Sequence, residues 1–119
     1  MIRLAEKEAS RSKAKFRLGA VVTKGNRVLG KGFNQNKTHP RGSGHSSMVH
    51  SETAAICDAL RKRIDLSGAS IYIYRAGRYH GRLAKPCACC MELIRSVGIT
   101  NIYYTDQKGE VVREVVEYV

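Results

Sequence analysis

The run Ala69-Ser70-Ile71-Tyr72-Ile73-Tyr74 is apolar or aromatic on both of its alternating faces. A strand with one wet face alternates between apolar and polar residues. This one therefore reads as a central strand covered on both sides, and it asks the rest of the chain for helices above and below it.

The flanking segments supply them. Ile2 to about Lys13 reads as a short amphipathic helix with a thin apolar face of Ile2, Ala5 and Ala9. Leu18 to Thr23 and Arg27 to Asn34 read as strands around Lys24-Gly25-Asn26, an antiparallel hairpin whose turn residues tolerate positive φ. Gln35 to Ser47, with Pro40, Gly42 and Gly44 and no apolar periodicity, reads as a loop. From about Val49 to Arg63 the stripe Ala55, Ile56, Ala59 and Leu60 predicts a helix, closed by Asp65-Leu66-Ser67-Gly68.

After the central strand, a basic loop from Arg75 to Lys85 leads into a helix over about Cys87 to Val97, capped by Gly98. Ile99 to Thr105 is a further strand. Val111 to Val119 follows too closely for the crossover of about a dozen residues that a parallel pairing needs, so it is expected to be an antiparallel edge strand, with a short terminal helix as the alternative. The order predicts an α/β fold: a three-layer α/β/α domain with a mixed sheet of about five strands. The length of 119 residues suits a single domain spanning 1–119.

The chain has no apolar run approaching the roughly 18 residues of a membrane span and no apolar signal-peptide core at its start, so a cytoplasmic protein with no membrane partner is expected. Of the four cysteines (57, 87, 89 and 90), three fall within four positions, which suits metal or catalytic use in a reducing compartment better than cross-linking. The net charge of +11 is unevenly laid out. No acid occurs between Glu8 and Glu52, a stretch holding Arg11, Lys13, Lys15, Arg17, Lys24, Arg27, Lys31, Lys37 and Arg41, and none occurs from Leu66 to Met91, which holds Arg75, Arg78, Arg82 and Lys85. Such stretches favour an anionic partner, a phosphate or a polynucleotide.

Two motifs open the two later helices: His50-Ser51-Glu52, and Pro86-Cys87-Ala88-Cys89-Cys90. Cys87 and Cys90 are three apart in a first helical turn, so their sulfurs lie on one face and can share a metal ion. A helix N-terminus also favours the thiolate. His50 adds an imidazole, and this soft and borderline set selects zinc (Zn2+). Three protein ligands leave a tetrahedral position for water, whose pKa zinc lowers toward about 7. Glu52 is placed to move protons and not to bind the ion beside His50. Cys89, about 100° around the helix from Cys90, is read as packing, and Cys57 as core.

A lone C-x-x-C is common as a structural half-site or a redox pair. H-x-E followed by P-C-x-x-C, each opening a helix, is the signature of zinc nucleobase deaminases, and the chain from about Phe16 to Thr105 resembles the cytidine and deoxycytidylate deaminase superfamily. The resemblance implies Glu52 as the catalytic proton shuttle and His50, Cys87 and Cys90 as zinc ligands. Gly32-Phe33-Asn34 is similar to the Gly-aromatic-Asn of deoxycytidylate and tRNA-adenosine deaminases, which makes Asn34 a substrate-binding candidate. Ser51 stands where the common form has Ala; the backbone N–H there typically holds the pyrimidine, so Ser51 is expected to be tolerated.

The activity so implied is hydrolytic deamination of a cytosine nucleotide or nucleoside, with release of ammonia. Lys37, His39 or Arg41 is expected to meet a substrate phosphate. A single-stranded DNA or RNA substrate, with cytosine or adenine as the base, is the alternative. Against it, the additional C-terminal helices of the family's nucleic-acid editors find no room here and few aromatics remain for stacking. A non-catalytic zinc module is a further reading; it needs a fourth ligand from His39, His45, His80 or Cys89, none at a finger spacing. The short chain is also expected to form a homo-oligomer.

Overall fold

The central-strand run becomes β5 (Ser70–Ala76) of a five-stranded sheet. The computed structural model describes residues 1–13, 16–36, 48–76 and 83–116. The chain runs α1 (Ile2–Ala9), β1 (Arg17–Lys24), β2 (Arg27–Phe33), β3 (Gln35–Asn36), β4 (Met48–Val49), α2 (Ser51–Arg61), β5, α3 (Ala88–Ser96), β6 (Asn101–Thr105) and β7 (Val111–Val115). The sheet order is β2-β1-β5-β6-β7. Among the described residues only β5 and β6 pair in parallel, and α3 makes the crossover between them. The last strand is an antiparallel edge strand, as expected.

Two glycines show how the layers close. A Cβ on Gly19 would overlap the Ala5 carbonyl in α1, and one on Gly30 would overlap the Ala55 carbonyl in α2. Gly30 pairs with Val22, an odd number of positions from Gly19 along β1, so the two helices lie on opposite faces of the sheet. Helix α3 packs beside α2. The core on that side holds Ala20, Val22, Ile56, Ile71, Ile73, Ile94 and Ile102. Three layers result.

Several boundaries differ from the sequence reading for local reasons. Helix α1 stops at Ala9 because the Ser12 hydroxyl donates to the Asn34 carbonyl at 2.9 Å, drawing the chain off the helix onto the hairpin. Being about 12 Å long, α1 covers β1, β2 and part of β5 but not a five-stranded sheet about 19 Å wide. Tyr72 of β5 is therefore only half-buried and stacks on Tyr103 of β6, ring centroids 4.4 Å apart.

In α2, Leu60 is 45 % exposed and not part of the buried stripe, which centres on Ala55 and Ala59 where the helix lies against Gly30. Cys57, expected in the core, is exposed, since it lies about 200° around the helix from Ala55. Strands β3 and β4, read from sequence as loop and helix start, pair Gln35 with Val49 and Asn36 with Met48. Two-residue strands have no periodicity to read.

Candidate active site

Both motif helices begin at the same end of the sheet. His50 is the N-cap of α2 and Cys87 the N-cap of α3, each in extended backbone, with their carbonyls accepting from the N–H groups of Ala54 at 3.0 Å and Met91 at 2.8 Å. This geometry aims both side chains past the helix ends. The β3–β4 pair fixes the chain just ahead of His50.

The His50 Nδ1 lies 3.4 Å from Cys90 Sγ and 3.8 Å from Cys87 Sγ, and the ligand atoms of the trio all fall within 4.8 Å of one another. Bonds of about 2.0–2.3 Å in a tetrahedral zinc site put ligand atoms roughly 3.4–3.8 Å apart. The donor set and its spacing therefore fit zinc. Among the described residues this is the one His/Cys/Asp/Glu group that gathers so.

Cys90 is 4 % exposed. Burial pushes its thiol far above the ordinary cysteine range, and the neighbouring Glu52 carboxylate and Cys87 push it the same way. The expectation that the helix N-terminus favours the thiolate is thus outweighed at Cys90 in the metal-free protein: desolvation dominates, and metal binding has to displace a proton. Cys89, read as packing, is exposed and lies outside the trio, because packing on α3 follows Cys90 and Ile94.

Glu52 is also 4 % exposed and Ser51 1 %. The Ser51 hydroxyl donates to Glu52 Oε1 at 2.5 Å, a short charge-assisted bond. No cation pairs with Glu52 among the described residues. Sequence reading tolerated Ser51 without finding this bond, since adjacent helix residues do not ordinarily face each other.

Both residues open onto a cavity of about 210 Å³ lined by Leu18, Asn34, His50, Ser51, Glu52, Arg75, Leu83, Lys85 and Cys87. Asn34 is buried at its edge. Its Oδ1 accepts from the Leu18 N–H at 2.9 Å and its Nδ2 donates to the Phe16 carbonyl, so the amide ties β1 to the site wall. Lys37, His39 and Arg41 lie outside the described residues, as do His45 and His80. Among the described residues, the cations brought to the cavity are Arg75 and Lys85, noted in sequence only as members of an acid-free stretch. Their placement was available: one sits at the end of the central strand and the other just before the helix that delivers Cys87.

Over residues 1–106 the chain matches the family described as cytidine and deoxycytidylate deaminase zinc-binding region. No curated protein matches it. Among solved structures, cytidine deaminase from Burkholderia pseudomallei aligns with a TM-score of 0.74 at 21 % identity, covering 96 % of this chain and 88 % of that one. The dCMP deaminase from the cyanophage S-TIM5 aligns in its apo form with a TM-score of 0.68 at 23 % identity, over 87 % of this chain and 77 % of that one. In its complex with dCMP and dUMP the TM-score is 0.64 at 21 % identity, over 87 % and 76 %. These likenesses carry the fold. Among the described residues, no helix is long and apolar enough to cross a membrane.

Proposed function

Because this chain belongs to the cytidine and deoxycytidylate deaminase zinc-binding family, we propose that it hydrolytically deaminates a cytosine nucleoside or nucleotide, with Glu52 as the proton shuttle. The observation that carries this reading is a buried carboxylate, held by the Ser51 hydroxyl and paired with no cation among the described residues, beside the His50/Cys87/Cys90 trio in one cavity. The dCMP deaminase that shares the fold binds dCMP and dUMP, which is in keeping with a pyrimidine substrate.

Zinc held by His50, Cys87 and Cys90 would supply the Lewis acidity that makes water a nucleophile near neutral pH. The residues of the chain do the rest. Glu52 takes a proton from the attacking water as its oxygen adds to C4 of the base, passes a proton to ring N3, and then carries one to the exocyclic amine. The C4–N bond breaks, ammonia leaves, and cytosine plus water becomes uracil plus ammonia. Ser51 holds the carboxylate in its orientation throughout, so little reorganisation accompanies each transfer. Asn34 keeps one N–H and one lone pair beyond those spent on β1, enough to meet a polar group of the substrate at the cavity edge.

The test is ammonia release by zinc-loaded protein from cytosine, deoxycytidine, its mono- and triphosphates, adenosine and single-stranded DNA. Cytosine nucleosides or nucleotides are expected to react, and Glu52→Ala is expected to retain zinc while losing about 10²- to 10⁴-fold in turnover. Silence across the whole panel would sink the proposal.

A further inference from the structure

We propose that Arg75, together with Lys85, recognises a phosphate on the cytosine substrate, so that this chain selects a free nucleotide over its nucleoside at the mouth of the cavity. The inference rests on the deaminase reading and adds the substrate class.

Arg75 occupies the end of β5, where the central strand reaches the cavity. Its backbone N–H bonds to the buried Thr105 Oγ1 at 3.3 Å, which fixes the strand end. Its guanidinium carbon lies 4.8 Å from the centre of the Phe16 ring, and Nη1 donates to the Leu83 carbonyl at 3.4 Å. A ring on one side and a carbonyl on the other hold the group in place without neutralising it. The contrast with Arg11 is direct. That guanidinium also stacks on a ring, 4.9 Å from the centre of Phe33, but it is paired with Glu8 at 3.4 Å.

Arg75 forms no ion pair among the described residues, and its Nε is buried without a hydrogen-bond partner. A buried donor left in this way costs about 1–3 kcal/mol unless a ligand satisfies it. Lys85, exposed on the same rim, adds a second positive charge, and among the described residues the one carboxylate at the cavity is Glu52, which the reaction uses. The planar guanidinium fork offers a phosphate two parallel hydrogen bonds, which a lone ammonium cannot.

Size places the phosphate at the rim. At about 210 Å³ the cavity is smaller than the roughly 300–1,000 Å³ of sites that enclose a drug-sized ligand. It takes the base and leaves sugar and phosphate outside, against Arg75 and Lys85. A polynucleotide fits less well. Stacking platforms are what hold a single strand, and among the described residues no Phe, Tyr or Trp lines the cavity.

The experiment compares deoxycytidine, its 5′-monophosphate and a short cytosine-containing oligonucleotide as substrates of the zinc-loaded wild type, Arg75→Ala and Arg75→Lys. Arg75→Ala is expected to raise the KM for the monophosphate by about 10- to 100-fold more than the KM for the nucleoside, the worth of one to two charge-assisted hydrogen bonds. Arg75→Lys should recover only part of that difference. Binding of deoxyuridine and its monophosphate, measured by calorimetry with and without Arg75→Ala, gives the same ratio independently of turnover. Thermal melts identify any variant that fails to fold. Equal changes for nucleoside and monophosphate, a wild type that prefers the nucleoside, or one that prefers the oligonucleotide would each overturn the assignment of Arg75. Absence of deamination with the phosphate-dependent binding intact would instead overturn the deaminase reading alone.

Discussion

Among the described residues each face of the sheet buries one glutamate, and the two have opposite surroundings. On the α1 face Glu8 is 4 % exposed and sits between Arg11 at 3.4 Å and Lys31 at 3.8 Å, two cations from different elements. On the α2–α3 face Glu52 is buried to the same degree, and its partners are a serine hydroxyl and a neighbouring thiol. Burial alone therefore says little about role. A carboxylate surrounded by cations has its charge neutralised and ties a helix to a hairpin. One held by a hydroxyl at a cavity wall stays open to a substrate.

The comparison is broken or upheld most sharply by making the same change at both sites. Glu52→Gln is expected to cut turnover by about 10²- to 10⁴-fold while leaving stability unchanged or raised, since it removes a buried charge that pairs with no cation among the described residues. Glu8→Gln should do the reverse: turnover persists, and stability falls by about 1–2 kcal/mol, a modest figure because both cations are largely solvated. Urea melts alongside ammonia assays read both quantities. A Glu8 variant that lost activity without losing stability would erase the distinction.

The next largest effect separates two adjacent thiols on the Glu52 face. Cys90→Ser should reduce retained zinc from about one ion per chain to a small fraction after dialysis, because it removes one of three ligands. Cys89→Ser should leave the content unchanged. Atomic absorption on the two variants decides it, and zinc loss from the Cys89 variant would enlarge the trio.

Much of this was legible in the sequence, for reasons that individual residues make plain. The sheet could be read because Ile71 and Ile73 alternate with Tyr72 and Tyr74, a pattern that survives into the register with β1 and β6. The metal cluster could be read because helix starts and three-residue spacing fix side-chain direction, and His50, Cys87 and Cys90 do converge. Cys57 and Leu60 were misread because an apolar residue on a helix announces burial only when the partner surface is known, and here Gly30 and Gly32 set which stripe of α2 comes closest. Arg75 could be placed at the end of the central strand, but its contacts there could not be read, because a strand end carries no periodic signal. Its surroundings come from Phe16, distant in sequence, and from Leu83, which hold it beside the cavity.

The smallest predicted effect concerns pH and again contrasts the two faces. In the metal-free protein, burial beside Glu52 keeps the Cys90 proton in place well above the ordinary thiol range. As pH rises through that range, the unfolded chain releases a proton that folded Cys90 retains. The folded state then binds more protons than the unfolded one, and stability falls with pH by no more than about 1.4 kcal/mol per unit, the slope of a single proton. Zinc reverses the sign: its ligand is the thiolate, so binding displaces the proton and becomes more favourable as pH rises. Thermal melts from about pH 7.5 to about pH 9.5, with chelator and with zinc, should therefore diverge. The Cys90→Ser protein with chelator should lose the downward slope, whereas Glu8→Gln, changed on the other face, should keep it. A chelated wild type that stays flat across that range would mean that Cys90 gives up its proton as readily as any exposed thiol, and the contrast between the faces would then rest on Glu52 alone.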